Sequence, residues 1–257
     1  MASVSLHGLE GLPLVQPGDD LPALLGDALD GAGLRPADGD VLVVAQKIVS
    51  KAEGRLRRLA DVVPSPRALE LAEVVRKDPR LVEVVLSESR EVIRAVPNVL
   101  IVEHRLGFVM ANAGVDQSNV EGDEEVALLL PEAPDDSCRR LREGLERRYG
   151  VRLPVVMNDS FGRPWRNGVT GVCIGASGLP TLLDRRGAPD LFGRPLRITE
   201  IAVGDELAAA ASLVMGQAGE GIPAVLVRGL RLDRQDQGGP DQTATALLRS
   251  RQHDLFR

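Results

Sequence analysis

Short apolar runs that stop at small or polar residues punctuate the chain: VLVVAQK (41–47), VLIVEHR (99–105), VALLLP (126–131), VRLPVVMND (151–159), VTGVCIGA (169–176) and IPAVLVRG (222–229). Their β-branched content and bounding Gly, Pro and Asp predict strands. Between them the period lengthens. PDDSCRRLREGLERRYG (134–150) sets Cys138, Leu141, Leu145 and Tyr149 along one face, with Asp135, Asp136 and Ser137 as N-cap candidates and Gly150 as the stop, which predicts an amphipathic helix. Further helices are predicted to open at Asp19 or Asp20 and near Asp205. Residues 66–95 read as two helices parted at Asp78-Pro79, because proline removes a backbone donor and crowds the preceding turn.

Strands and helices alternate, but at irregular spacing, and VLIVEHRLGFVMANAG reads as two consecutive strands about Leu106-Gly107. The pattern therefore predicts an α+β fold of mixed β-sheets with interleaved helices. There is no internal repeat and no long linker. The expected organisation is one domain over residues 1–257, either a single body or two intertwined subdomains, with an arm from about 232 to 257. That arm begins as the polar LDRQDQGGPDQTATA and ends in a helical ATALLRSRQHDLFR, as a lid or a packed terminal segment.

Composition narrows the function classes. In 257 residues the hydrophobic share is 44% and the charged share 26%, ordinary for a soluble globule, while 2% aromatic leaves the core to Leu, Val, Ile and Ala. A formal net charge of -6 argues against a general nucleic-acid or anionic-membrane surface, so an anionic ligand needs a local cationic pocket. Cys138 and Cys173 are the only cysteines and form no CxxC pair, which suits reduced, buried thiols in a cytoplasm. The first twenty residues do not read as a secretion signal, and no stretch of about eighteen apolar residues runs uninterrupted. The expectation is a cytoplasmic protein without a membrane partner. His7, His104 and His253 stand in unrelated contexts and suggest structural or exposed roles rather than catalysis.

Three polar clusters follow apolar runs. AQKIVSKAEGR (45–55) presents Gln46, Lys47, Ser50, Lys51 and Glu53; its donors and ammonium groups can hold phosphate oxygens, or form a solvated basic face leading into a turn. It lacks the glycine spacing of a P-loop. ANAGVDQSNVEGD (111–123) sets Asp116 three residues before Asn119, a pairing that suits Mg²⁺ or Mn²⁺ beside a nucleotide, or a simple Asx turn. NDSFGRPWRNG (158–168) puts Asp159 where its strand is expected to end, adds the Ser160 hydroxyl and the fixed charges of Arg163 and Arg166, and is either an active-site loop or a surface turn pinned by Phe161 and Trp165. If the fold brings Asp116 and Asp159 together, the set describes a two-metal phosphoryl-transfer site.

Taken in order, GLPLVQPGDDL, GDVLVVAQKIVSKAEGR, ESREVIR, GFVMANAGVDQSNV, NDSFGRPWRNG, VGDELAAAASLVMGQAGEGIPAVLVRG and DLFR resemble the coenzyme F420-0:L-glutamate ligases, in the single-domain form without a C-terminal nitroreductase-like domain. The resemblance implies a cytoplasmic enzyme, homodimeric, that uses GTP to add L-glutamate, and successive γ-linked glutamates, to F420-0 through an acyl phosphate, releasing GDP and phosphate. It implies two divalent ions, Mg²⁺ or Mn²⁺, with K⁺ as a further candidate. By the same resemblance Leu12, Pro13, Leu14, Val15, Gln46, Lys51, Asn119, Met215, Gly216, Gln217 and Gly221 contact the nucleotide. Asp116, Asp159, Ser160 and Gln217 are the implied metal ligands or neighbours, and Lys51, Arg163 and Arg166 the cations that offset charge during transfer. Ser160 stands where Thr is common, Gln46 where some members have Ser, and Leu14 where some have Glu.

Overall fold

The structure is a computed structural model that describes residues 3–118, 125–231 and 242–254. In chain order its elements are β1 (Ser5–Gly8), α1 (Leu21–Gly31), β2 (Val41–Ala45), α2 (Gln46–Ala52), β3 (Leu56–Arg58), α3 (Pro66–Val75), α4 (Pro79–Ser87), β4 (Ser89–Val96), β5 (Val99–His104), β6 (Val109–Ala111) and β7 (Val126–Leu128). They continue with α5 (Pro134–Tyr149), β8 (Val155–Arg163), β9 (Arg166–Ser177), β10 (Leu183–Asp184), β11 (Glu200–Ile201), α6 (Val203–Met215) and β12 (Ala224–Arg228). The fold is mixed α+β, as the alternation of periods predicts.

Among the described residues the main sheet has the order β1-β12-β2-β8-β9. Only the β2–β8 pair is parallel; its neighbours run antiparallel. Both faces are covered, which is why the strands read as unbroken apolar runs rather than alternating ones. In β2, Leu42 and Val44 join the core shared with Leu25 and Leu29 of α1 and Leu141 and Leu145 of α5. Val41 and Val43 face the other way, onto Leu207, Ala208 and Ala211 of α6.

Strand β9 needs glycine where these helices come closest. A Cβ on Gly171 would run into Ala208 O of α6, and one on Gly175 would lie 2.7 Å from the Pro134 carbonyl at the head of α5. Four residues apart, the two would face one side of a regular strand. A bulge, where the ladder slips from Met157↔Gly175 to Asn158↔Cys173, turns them toward opposite helices.

The chain leaves this layer after α2 and returns to it with α5. In between, β4-β5-β6 form an antiparallel sheet and β3 pairs with β7. Leu71, Val75, Val82, Val85, Leu100 and Val102 make a separate core there with α3 and α4. A buried ionic joint ties this unit to its surroundings: Arg55, just after α2, donates to Leu130 O at 2.9 Å, to Glu132 at 2.9 Å and to both Glu88 oxygens at 3.1 Å.

Several local expectations change. Residues 89–96 form β4 instead of continuing a helix; SREVIRAV carries β-branched residues and pairs with β5, so tertiary pairing decides. Helix α5 begins at Pro134 with no side-chain cap, and Asp135 instead accepts from Ala176 N–H at 2.8 Å and Ala244 N–H at 2.9 Å. Helix α6 likewise starts before Asp205, whose carboxylate accepts from Cys173 N–H at 2.9 Å. The described part of the terminal arm is packed but not α-helical: it makes short 3₁₀ turns at Ala244–Leu247 and Arg251–His253. Ala244 and Leu247 pack into the α6 core, and Arg251 pairs with Glu91 of β4 at 2.9 Å. The predicted breaks at Asp20, Asp78-Pro79, Leu106-Gly107 and Gly150 all fall where element boundaries occur. Among the described residues no helix is long and apolar enough to cross a membrane.

Candidate active site

Strand direction gathers the polar clusters. Parallel β2 and β8 reach one edge of the sheet together, with Ala45 opposite Asn158. Strand β12 runs the other way, so the segment that precedes it starts at that edge: Ala45 N–H donates to Pro223 O at 2.8 Å, and Leu9 N–H to Ala224 O at 2.8 Å. Four segments therefore meet there, around residues 9–15, 46–51, 158–160 and 215–222.

Helix α2 sorts its side chains by the i, i+4 spacing. Gln46 is buried and accepts at Oε1 from Ser50 Oγ at 2.8 Å, while Lys47 and Lys51 share another face. Lys47 Nζ lies 2.7 Å from Asp116 Oδ2, and donates to Ser118 Oγ at 2.7 Å and Ser118 O at 3.3 Å. Lys47, one of the two ammonium groups expected to hold phosphate oxygens, is thus also the ion-pair partner of Asp116.

Asp116 arrives from the second unit on a strained approach. Asn112, Ala113 and Gly114 have consecutive φ values of 51°, 52° and 67°, a left-handed run that costs free energy at the two non-glycine residues. Lys77 Nζ donates to Asn112 Oδ1 at 2.9 Å, and Ala113 is fully buried, so packing fixes the turn. Beyond it, Asp116 is tied to Leu128 by two backbone hydrogen bonds. Its carboxylate accepts from Ser118 N–H at 2.7 Å and from Ser118 Oγ at 3.0 Å. The Asx turn is present, therefore, and it aims the same carboxylate at Lys47. Burial alone would make this group harder to ionise, but the hydrogen bonds and charge from Lys47 and Ser118 outweigh it and hold the Asp116 carboxyl below its usual range.

Asp159 is not at the end of a strand. Strand β8 runs through it to Arg163 and turns directly into β9, so NDSFGRPWRNG is the tip of a β-hairpin. Burial, with the nearby Asp116 charge adding to it, pushes the Asp159 carboxyl up to about 7, against the opposing effects of the Ser160 backbone and Lys47. The Asp116 charge is felt at Asp159, so a cation bound near both carboxylates would be favoured.

Alternation along β8 gives its neighbour a different face. Met157 and Phe161 belong to the core under α5, so Ser160 faces the side of α6. There Ser160 Oγ donates to Gln217 Oε1 at 2.7 Å, and Gln217 Nε2 donates to Ser212 Oγ at 2.9 Å. Asp159 lies within reach of the Asp116 charge and Ser160 contacts Gln217, so these residues fall into two pairs on two sides of one strand. Gln217 belongs to a loop that leaves α6 through Met215 and Gly216; Gly216 and Gly221 both have positive φ. Backbone N–H groups of Glu220, Ala218 and Gln217 surround the Glu220 carboxylate and lower its pKa, so the loop's own acid takes up these donors.

At the β1 end, Leu12 is half-buried, Pro13 and Leu14 are exposed, and Val15 is buried. A cavity of about 690 Å³ opens between residues 8–13 and α1, with Leu12 and Pro13 in its wall. The two arginines are placed apart from the carboxylates. Arg163 and Arg166 face each other at the exposed hairpin tip, and Arg163 lies roughly 13 Å along the strand from Asp159 at about 3.3 Å per residue. Trp165 does not pin this turn: it is 79% exposed with φ 58°, and Phe161, packed edge-on to Phe108, is the buried anchor. Asn119 lies outside the described residues.

The donor set suits a hard cation. Among the described residues no three His, Cys, Asp or Glu side chains cluster, so there is no all-protein cage and no soft thiolate or imidazole site. Two carboxylates with a hydroxyl and an amide match ions such as Mg²⁺ or Mn²⁺, which keep waters and bind substrate phosphates alongside one or two carboxylates.

Fold and site together define a class: an α+β enzyme with a set of oxygen donors, beside the lysines of α2, at one edge of a mixed sheet. The chain belongs to the F420-0:Gamma-glutamyl ligase family, which matches residues 11–229. It is 48% identical over 255 residues to the Coenzyme F420:L-glutamate ligase of Methanothermobacter thermautotrophicus, covering 99% of both chains. The proteins of the same description from Methanopyrus kandleri and Archaeoglobus fulgidus are 49% identical over 252 residues and 44% identical over 255. These alignments cover 97% and 99% of this chain, and 97% and 96% of theirs.

Proposed function

We propose that this protein, acting as one ligase domain in the cytoplasm, joins L-glutamate to coenzyme F420-0 and then adds further γ-linked glutamates, using GTP. The observation that supports this most is the meeting of Asp116, Asp159, Lys47, Ser160 and Gln217 at one sheet edge, in a chain nearly half identical along its length to Coenzyme F420:L-glutamate ligases.

A carboxylate does not condense with an amine in water at a useful rate, since its leaving group is poor. In the proposed reaction a carboxylate oxygen of F420-0 attacks the γ-phosphorus of GTP and GDP departs. The amine nitrogen of glutamate then attacks the acyl carbon, forming the amide C–N bond and releasing phosphate from the broken C–O bond. Divalent ions supply charge neutralisation at the phosphates when bound. Asp116 and Asp159 would hold one such ion, and Ser160 with Gln217 a second. Lys47 and Lys51 present ammonium groups to the phosphate chain. The segment Leu12–Val15 and the cavity beside it offer an apolar wall for the base. Arg163 and Arg166, too far along the hairpin to touch the carboxylates, suit the anionic tail of F420-0. Gln46 supports α2 from its buried side.

Incubation with F420-0, glutamate, GTP and Mn²⁺ followed by mass spectrometry tests the proposal. A glutamate-sized increment is expected. Nucleotide binding without that product would point instead to a binding protein, and product with another acid alone to a ligase of different substrate. The homodimeric state expected from the family is checked by light scattering on the same preparation.

A further inference from the structure

Lys47 occupies the side of Asp116 that a cation would use. Its Nζ is 2.7 Å from Oδ2, and it is one of several groups there whose geometry can be separated. Ser118 N–H holds Oδ1 at 2.7 Å and Ser118 Oγ holds Oδ2 at 3.0 Å, so the carboxylate keeps its orientation without the lysine.

An ammonium and a divalent cation repel each other at contact distance and cannot share Oδ2. A lysine is suited to yield. Its charge is a point at the end of a flexible four-carbon stem, with donors that rotate freely onto new acceptors, whereas an arginine would grip the carboxylate with a planar fork. The ion pair is also partly solvated, with side-chain exposures of 28% for Lys47 and 36% for Asp116, so separating it costs little. The first residues of α2 carry Lys47 at the sheet edge where the proposed nucleotide would lie, so a released ammonium has anionic oxygens to move to.

We infer that Lys47 is a built-in competitor for the divalent cation at Asp116, holding that carboxylate neutralised until the cation arrives and then transferring to the nucleotide phosphates. This rests on the proposed use of a metal and GTP. It predicts an unusual sign: removing a residue that assists turnover tightens metal binding.

The test is Mn²⁺ titration of nucleotide-free protein, read by the electron paramagnetic resonance of free Mn²⁺, for wild type, Lys47→Gln, Lys47→Ala, Lys47→Arg and Asp116→Asn. Lys47→Gln and Lys47→Ala are expected to bind Mn²⁺ about five- to tenfold more tightly, a factor set by an exposed ion pair plus the repulsion it exerts on the incoming ion. Lys47→Arg is expected to bind no more tightly than wild type, and both neutral variants to show a raised KM for GTP. Unchanged or weaker Mn²⁺ binding in both neutral variants, with binding lost in Asp116→Asn, overturns the role of Lys47 and leaves the metal site standing. Absence of Mn²⁺ binding in wild type and every variant overturns both.

Discussion

Replacing Glu88 by Gln is expected to destabilise the protein by roughly 3 kcal/mol near pH 7 and by about half of that near pH 3. Glu88 is 8% exposed and meets Arg55 through both oxygens at 3.1 Å and Arg105 Nε at 3.0 Å. Buried His104 accepts the Leu106 N–H at Nδ1, which leaves Nε2 as the ring donor, 3.5 Å from Glu88. Burial opposes ionisation of Glu88, but His104, Arg105 and Arg55 outweigh it and hold the carboxyl at about 2 against an ordinary 4.5. At about 1.36 kcal/mol per tenfold change in proton affinity, that difference is worth roughly 3 kcal/mol. Because the folded carboxyl is the more acidic one, the contribution is complete above pH 4.5 and fades as pH falls toward 2. Urea denaturation of wild type and Glu88→Gln near pH 7 and near pH 3 measures the gap at both ends. A gap below about 1 kcal/mol near neutrality, or one that does not narrow with acid, would refute the reasoning, because desolvation would then have cancelled the pairing.

Other consequences are more local. With divalent ions chelated, Asp159→Asn is expected to be more stable than wild type, and by more at pH 8 than at pH 5. Its carboxyl is raised to about 7 in the fold, so wild type loses stability as pH climbs toward that value; thermal denaturation in chelator at both pH values checks the sign. Gly171→Ala drives a methyl into the Ala208 carbonyl of α6 and is expected to cost about 2 kcal/mol or more, read by chemical denaturation. Trp165→Ala removes the large aromatic from an exposed hairpin tip and is expected to leave stability within about 0.5 kcal/mol, so any change in ligation kinetics there reports substrate contact.

Much of the fold was legible because its strands and breaks announce themselves locally. The runs at 41–45, 99–104 and 224–228 are strands, and Pro79, Gly107 and Gly150 sit at breaks whose backbone chemistry is their own. What was not legible depended on partners distant in sequence. Residues 89–96 suit a helix or a strand until β5 claims them, and Asp135 and Asp205 look like helix caps until the amides of Ala176 and Cys173 claim them. In the candidate site the residue types were readable, and Asp116, Asp159, Ser160 and Gln217 do fall into neighbouring pairs. Their distribution over two faces of β8 was not, since it requires knowing that the strand continues past Asp159. Trp165 misled for the opposite reason: a lone tryptophan suggests an anchor, yet the buried ring is Phe161.

The proposed function makes the carboxylates at this sheet edge essential to GTP-driven ligation of glutamate. The most direct measurement follows glutamylated product by mass spectrometry for wild type, Asp116→Asn and Asp159→Asn, each verified as folded, with F420-0, glutamate, GTP and Mn²⁺. Product formation by wild type is predicted, with a loss of about 10²–10³ in rate for each variant, the scale typical of removing a preorganised electrostatic group. Ligation at wild-type rates by both folded variants would contradict the account.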